Sequence, residues 1–323
     1  MQKSRIRASV VVPTYNASTY LQETLESLLA QLGPTDELIV VDDGSTDNTP
    51  SLFEGPKDQK LRYIRQENSG GPARPRNVGC ANARGEFIFI FDADDIAEAG
   101  KVESSLSALE KVPSADFLFT NFNTIDSAGV HLQSRYVDRY IALEHLKSQP
   151  TGDHLYRIPG GDMISGLLQA NFVGTSSVVF RKAAWEKTAG FDEQFFHLDD
   201  RDMWLQLSLS GDALFLDLCL HNYRDHQGGI SKQRLRQQHL ERAAMAKRLS
   251  LMTLTKQQRD SLRRFAAKNY LRLGYMDFHE TDDKHQARRW FLKSFFCIPS
   301  ISAFKGVLKS VMPNGLYLLL RRG

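Results

Sequence analysis

Three short, almost unbroken apolar runs constrain this chain most: Val10-Val11-Val12, Leu38-Ile39-Val40-Val41 and Phe87-Ile88-Phe89-Ile90-Phe91. A strand wetted on one face alternates polar and apolar residues, whereas a strand covered on both faces reads as a continuous apolar run. The runs therefore predict central strands of a parallel sheet. Between the first two, Leu21, Leu25, Leu28, Leu29 and Leu32 recur at spacings of three and four, which predicts a helix capped by Ser18 and ended at Gly33-Pro34. Strand, helix and strand in that order imply a right-handed crossover and a doubly wound α/β sheet, whose ligands sit beyond the carboxyl ends of the strands. The residues after each run are the ones to read for chemistry.

This pattern continues to about Leu216, and from about Tyr223 the texture turns helical and rich in Arg and Gln. Ser231 to Leu251, Gln257 to Tyr275 and His285 to Phe296 read as helices, with breaks at Pro299 and Pro313 and no strand pattern among them. The boundary falls near Gly228-Gly229, so the 323 residues divide into an α/β domain over 1–230 and an α-helical region over 231–323. The 41 Lys and Arg against 38 Asp and Glu leave a formal charge of +3, too little to imply nucleic acid. That sum hides its parts. From Lys284 onward there are eight Lys or Arg and no Asp or Glu, so positions 1–283 hold 33 basic and 38 acidic residues, a net of −5. Interleaved with the tail's cations are Trp290, Phe291, Phe295, Phe296, Phe304 and Tyr317, a mixture that suits an anionic membrane surface or a cap packed on the first domain. Cys80, Cys219 and Cys297 are too scattered for a disulfide framework or a zinc cluster. No apolar window approaches the length of a membrane span, and the N-terminus lacks the apolar core of a signal peptide. A cytoplasmic location, peripheral at the inner face of the cell membrane, is expected.

The first run ends in Pro13-Thr14-Tyr15-Asn16 and the second in Asp42-Asp43-Gly44-Ser45. Adjacent carboxylates repel and need a donor or a cation to offset them. The N–H of a nucleobase is one such donor; an Asx-turn closed by Asp43 on its own loop is the other solution. The third run ends in Asp92-Ala93-Asp94-Asp95, a cluster of hard oxygen ligands suited to Mg²⁺ or Mn²⁺, which would in turn hold a diphosphate. The same acids would also suit the N-terminus of a helix beginning near Gly100. Between these clusters, Asn68 to Gly79 reads as a glycine loop opening a helix, where backbone N–H groups with Arg74 or Arg76 meet phosphate. It lacks the Gly-Lys-Ser/Thr of a Walker loop, and no Gly-x-Gly-x-x-Gly follows the first strand, which disfavours a dinucleotide cofactor. Further on, Asp199-Asp200-Arg201-Asp202 opens an amphipathic helix. A carboxylate there can serve as general base for an acceptor hydroxyl, or simply cap the helix and complement its dipole.

Together and in this order, the segments resemble the family 2 glycosyltransferases, inverting enzymes of the GT-A fold. The matching stretches are Val10–Asn16, Val41–Thr49, Gly70–Gly79, Ala83–Asp95, Thr175–Lys182, Ala189–Glu193 and Asp199–Leu207. The resemblance implies a GT-A type, mixed but mostly parallel, Rossmann-like sheet. It assigns Pro13, Thr14, Tyr15, Asn16, Asp42, Asp43, Gly70, Arg76, Asp92 and Ala93 to the donor nucleotide, with Asp43 accepting the base N–H. Asp92-Ala93-Asp94 matches the DxD element, so Asp94, Asp92 and Asp95 are expected to hold Mg²⁺ or Mn²⁺, together with His226 of Tyr223-Arg224-Asp225-His226. Asp200 is the expected general base; Asp199, standing where the family has Glu, is the second candidate. Thr175, Ser176 and Trp204 are expected on the acceptor side, and Pro75 departs from the family's usual Ala.

The implied reaction moves a sugar from a nucleotide-diphosphate sugar, a UDP-sugar foremost, to a hydroxyl of a glycan or lipid-linked acceptor in bacterial cell-surface polysaccharide synthesis. Acceptor choice would lie within 121–174, with a partly helical or mobile insert from Tyr136 to Ile164. Two other classes were weighed. A nucleotidyltransferase would need a glycine-rich loop with Arg and Lys after the first strand, which Pro13 to Ala17 lacks; a non-catalytic nucleotide-sugar-binding scaffold would not need every carboxylate.

Overall fold

The computed structural model of the chain describes residues 5–55, 58–147, 149–230, 234–252 and 254–312. They form two compact units divided between Gly229 and Ile230. The first unit runs β1 (Ala8–Thr14), α1 (Leu21–Leu29), β2 (Asp36–Asp42), β3 (Leu61–Arg65), α2 (Ala73–Asn82), β4 (Phe87–Ile90), β5 (Ile96–Ala97), α3 (Lys101–Lys111) and β6 (Ala115–Ile125). It continues through β7 (His131–Gln133), α4 (Ile141–Glu144), β8 (Pro150–Gly152), β9 (Leu155–Ile158), α5 (Gly160–Gln169), β10 (Val178–Arg181), α6 (Lys182–Trp185), α7 (Asp199–Ser210) and β11 (Asp212–Arg224).

All the strands join one 11-stranded sheet in the order β3-β2-β1-β4-β10-β6-β11-β9-β8, with β5 added to β11 and β7 to β6. The pairs β3-β2, β2-β1, β1-β4 and β6-β11 are parallel, and β10 is inserted antiparallel between β4 and β6. The apolar runs predict the sheet's parallel strands β1, β2 and β4, and the family resemblance predicts its mixed, doubly wound character. Val10, Val12, Leu38, Val40 and Phe89 pack on one face with Leu21, Leu25 and Leu28 of α1 and Leu106 of α3. On the other face α2 rides so close to β1 that a Cβ on Gly79 would lie 2.2 Å from Val11 Cγ1, which only glycine permits.

Two local expectations change. Ser18 does not cap α1, which begins at Leu21 behind Tyr20; its N–H instead donates to Asp47 Oδ2 at 3.1 Å, tying the β1 loop to the β2 loop. The segment from Tyr136 to Ile164 is partly helical, as expected, but it also contributes the β8–β9 hairpin, which extends the sheet antiparallel from β11. Strands of three and four residues carry too little alternation to be read from sequence.

Among the described residues the second unit is all helical: α8 (Leu235–Leu249), α9 (Lys256–His279), α10 (Lys284–Cys297) and α11 (Ile301–Val311). A Thr255–Gln258 capping box starts α9, and the Asp283 and Ser300 side chains cap α10 and α11. Its centre is Phe291, accommodated because Gly274 and Gly306 bring no Cβ; added carbons would lie 2.6 and 2.5 Å from the ring. The fourth helix was not anticipated, and the expected start at Ser231, the break at Pro313 and the last residues of the basic tail lie outside the described residues. Among those described, no helix is long and apolar enough to cross a membrane.

Candidate functional site

The carboxyl ends of β1, β2 and β4 and the N-terminus of α7 gather the expected residues into two acidic groups. In the first, the Asp43 N–H donates to the Thr14 carbonyl at 2.8 Å, and Asn16, at φ 49°, accepts the Thr46 N–H at 2.8 Å. Asp42 accepts the Ser45 N–H at 2.8 Å and the Tyr63 hydroxyl at 2.5 Å. Asp42 therefore closes the turn that was expected of Asp43. The Asp43 carboxylate accepts Gln66 Nε2 at 2.6 Å, the Ser69 N–H at 3.0 Å and the Ser69 hydroxyl at 2.8 Å. Gly44, at φ 76°, lets the two loops meet, since a Cβ there would lie 2.7 Å from the Asn68 nitrogen. Tyr15 is exposed beside this loop and Pro13 is half-buried. Gly70 is exposed at φ 81°, with its N–H given to Asn68 Oδ1 at 2.8 Å.

The second group is built around one guanidinium. Arg76, expected at the donor's phosphates, is buried; it donates to Asp92 Oδ1 at 2.8 Å and to Asp199 Oδ2 at 2.6 Å. It thus clamps the end of β4 to the start of α7. The neighbouring Asp200 is less buried; it accepts the Arg201 N–H at 2.5 Å and the Asn171 amide at 3.4 Å. The N-cap is Leu198, so the acids occupy the first turn of α7 rather than its cap. Asp94 Oδ2 meets His226 Nε2 at 2.9 Å, and the Asp94 carbonyl accepts Arg224 Nε at 2.9 Å. Arg224 is anchored in turn by Glu23 at 2.6 Å, and the His226 ring lies 5.2 Å from that of Tyr20. The backbone of this acidic loop is fastened by Thr24, whose hydroxyl donates to the Ala93 and Asp95 carbonyls at 3.0 and 2.8 Å.

Four expected residues are buried. Asp95 has Oδ1 on the Arg224 N–H at 3.0 Å, so it braces the end of β11. It is also separated from α3 by β5, which removes it and Asp94 from that helix terminus. Trp204 is wholly buried, edge-on to Phe191 at 6.2 Å, because α7 packs that face inward; it is no floor for an acceptor. Ser176 uses its hydroxyl to accept the Asp92 N–H at 2.9 Å, and Thr175 is buried beside it. Behind the loop, Lys101 is buried 5.6 Å from the centre of the Phe91 ring, and burial lowers its ammonium to about 7 despite the opposing charge of Asp95.

The two groups differ electrostatically. Burial raises the carboxyls of Asp92, Asp199 and Asp200 against the opposing pull of Arg76, and Asp199 reaches about 7. Arg76, with Arg201 also pulling on Asp200, faces three acids, which leaves an excess of negative charge. Among the described residues no three His, Cys, Asp or Glu side chains already converge on one point. The donors nearest to a cation's needs are the paired Asp94 and His226, which combine a hard oxygen with an imidazole.

Residues 9–166 match the family described as glycosyl transferase family 2. The first unit of the chain belongs to that family. The transferase is 28% identical over 231 residues to glycosyltransferase GlyG of Streptococcus pneumoniae serotype 4, covering 69% of this chain and 72% of GlyG. It is 36% identical over 129 residues to the poly(ribitol-phosphate) beta-N-acetylglucosaminyltransferase TarS of Staphylococcus aureus, covering 39% of this chain and 22% of TarS. Thus it spans most of GlyG but about a fifth of TarS. The crystal structure of TarS 1-349 in complex with UDP-GlcNAc superposes with a TM-score of 0.70 at 19% identity, over 98% of this chain and 92% of that one. At that identity the likeness establishes the GT-A fold.

Sequence reasoning did not find several residues that shape the transferase's site. Asn171 reaches Asp200 across 29 positions and Glu23 reaches Arg224 across 201, and neither sits in a motif. Tyr63, Gln66 and Ser69, the donors to the Asp42–Asp43 pair, lie on and after β3, a strand with no fully buried residue. The one legible signal was the carboxylate pair itself, which had to be satisfied by something.

Proposed function

We propose that the chain transfers a sugar from a nucleoside-diphosphate sugar, foremost a UDP-sugar, to a hydroxyl of a glycan or lipid-linked acceptor with inversion at the anomeric carbon. The observation that carries this reading is the Arg76 clamp, which brings the Asp92–Asp94 loop and the Asp199–Asp200 pair to one end of the sheet. A diphosphate and an attacking hydroxyl must lie on opposite sides of one sugar, and these are the two acidic edges between which it would sit. Asp199 is held by the guanidinium, so Asp200 is the carboxylate left to act as base. Its raised proton affinity strengthens it for that role, and Asn171 with the Arg201 N–H orients it.

In the reaction Asp200 takes the acceptor's hydroxyl proton as the oxygen attacks the anomeric carbon from the face opposite the departing diphosphate. One displacement gives inverted configuration. Asp94, His226 and Asp92 would hold Mg²⁺ or Mn²⁺, whose charge, when it is bound, offsets that of the leaving diphosphate. At the nucleotide end, a base N–H would take the place of one of the donors that Asp43 now accepts. The TarS complex with UDP-GlcNAc supports a uridine nucleotide as the first donor to try. We assign the reaction to the cytoplasm and to bacterial cell-surface polysaccharide synthesis.

A panel of sugar nucleotides, with nucleoside diphosphate release as readout and the product anomer assigned by NMR, tests the reading. One donor should release diphosphate in an acceptor-dependent, Mn²⁺- or Mg²⁺-stimulated way and give an inverted linkage. Release of none would leave a binding scaffold, and consumption of a nucleoside triphosphate would leave a nucleotidyltransferase.

A further inference from the structure

Helix α11 is inside out relative to an ordinary surface helix, which buries its large apolar residues and exposes its small and polar ones. Here the buried residues are Ala303, Gly306 and Ser310, with Gly306 against Phe291. Val307 packs partly buried on the Phe291 cluster, while four large residues face outward: Ile301 is 75% exposed, Phe304 52%, Leu308 41% and Val311 54%. Spacings of three, four and three residues place all four on one stripe of the helix. Phe296, at 76% exposure, and Leu292 add to the apolar surface at the end of α10. Single exposed hydrophobes are normal, but a continuous stripe of them marks a surface that something covers.

The charges nearby say what covers it. Lys305 lies within the exposed arc and Lys309 on its flank, while Arg289 and Lys293 are exposed on α10. From 284 to 312 there is no Asp or Glu. A second copy would bring the same positive charge against this face, and like charges oppose that pairing. A bilayer with anionic headgroups offers an apolar boundary and negative charge at the same depth. We propose that this face is a membrane-docking surface: Ile301, Phe304, Leu308, Val311 and Phe296 enter the headgroup–acyl boundary of an anionic bilayer while Lys305 and Lys309 meet its phosphates. This inference stands apart from the proposed reaction, since it concerns a surface of the second unit and is read by binding.

The test is co-sedimentation of the full chain with vesicles of phosphatidylcholine alone and of phosphatidylcholine mixed with phosphatidylglycerol, at low and high salt. Wild type should pellet with the mixed vesicles and be released by salt. Phe304→Ser with Leu308→Ser, and separately Lys305→Gln with Lys309→Gln, should each weaken that binding by about tenfold or more, as expected when apolar depth or surface charge is lost. The substituted side chains are exposed, and an unchanged circular dichroism melt checks that the fold is kept. No binding of wild type to the mixed vesicles would overturn the proposal, as would equal binding by the variants. So would a concentration-dependent dimer that Phe304→Ser abolishes while vesicle binding stays absent, which would give the stripe to a second copy.

Discussion

Two acidic groups share the carboxyl edge of one sheet, and they solve the problem of crowded carboxylates in opposite ways. Asp42 and Asp43 take their hydrogen bonds from neutral donors, Ser45, Tyr63, Gln66 and Ser69, so their charge is spread over short hydrogen bonds, while Arg65 stands 3.9 Å from Asp42. Asp92, Asp199 and Asp200 crowd about Arg76, with Arg201 also acting on Asp200, and burial pushes all three carboxyls upward. A group satisfied by neutral donors can shape a pocket and exchange one donor for another at small cost. A group left short of positive charge is poised for a cation and for proton transfer. Under the proposed reaction the same residue type, a few strands apart, would be structural and selective in one place and reactive in the other.

The sharpest test of this contrast is Asp200→Asn. Loss of a positioned base costs about 10²- to 10⁴-fold in rate, so turnover should fall by that much while affinity for the donor nucleotide is nearly unchanged. Unchanged turnover would show that the base has been misassigned. Asp43→Asn should do the reverse, weakening nucleotide binding with a smaller effect on the chemical step, as calorimetry and single-turnover kinetics would report.

Next in size is Arg76→Ala. Removing one partner of a buried ion pair strands the others, at a cost of about 3–5 kcal/mol. Urea denaturation should show a loss of that order, and Arg76→Lys should recover only part of it, because a point charge cannot bridge Asp92 and Asp199 as the planar fork does. A stability loss below about 1 kcal/mol would mean that the clamp is dispensable and that the two edges are held by the sheet alone.

How much of this was legible before the structure divides along the same line. The strands β1, β2 and β4 announced themselves because they are covered on both faces and so carry unbroken apolar runs. By contrast, β6 and β11 carry Asn121, Asn123 and Asp217 in mid-strand, and their polar side chains break the pattern that would reveal them. Site residues lying directly after an apolar run could be named from spacing. Arg76 could be named but not placed: a glycine loop and an arginine suggest phosphate, and only the fold shows that α2 directs this side chain inward to Asp199, 123 residues away. Trp204 failed for a related reason, since a motif gives the order of residues and not which side of the helix each one faces. The outward stripe of α11 was hidden similarly: its composition is readable, but which face is buried depends on Gly306 lying against Phe291.

The charge shortage also predicts a response to metal and pH. Saturating the metal-free protein with Mn²⁺ at about a hundred times its Kd should raise stability by about 2.7 kcal/mol, and Asp94→Ala should remove most of that gain. Asp199 has an ordinary value of 3.8 and a folded value of about 7. Within that window the folded state retains a proton that the unfolded chain has lost, so this carboxyl's contribution to stability is full below the window and declines as pH rises through it. The difference in urea midpoint between wild type and Asp199→Asn should accordingly change between pH 4 and pH 7, with the variant relatively more stable at the upper end. A pH-independent difference would refute the picture of an under-neutralised cluster.

The smallest expected effect falls on the satisfied group. Tyr63→Phe removes the hydroxyl that donates to Asp42 at 2.5 Å and leaves the stacking of this ring on Phe53, 4.1 Å between centroids, in place. A hydrogen bond to a charged group is worth about 1.5–3 kcal/mol; because Tyr63 is half-buried, water can replace part of it and the loss should sit near the lower figure. The stabilisation by Mn²⁺ should be unchanged, because this pair is satisfied by its own hydrogen-bond donors, with Arg65 3.9 Å from Asp42. A loss as large as that of Arg76→Ala, or a Mn²⁺ response altered by Tyr63→Phe, would mean that the two acidic groups are electrostatically one, and that the division between a shaping edge and a reacting edge is false.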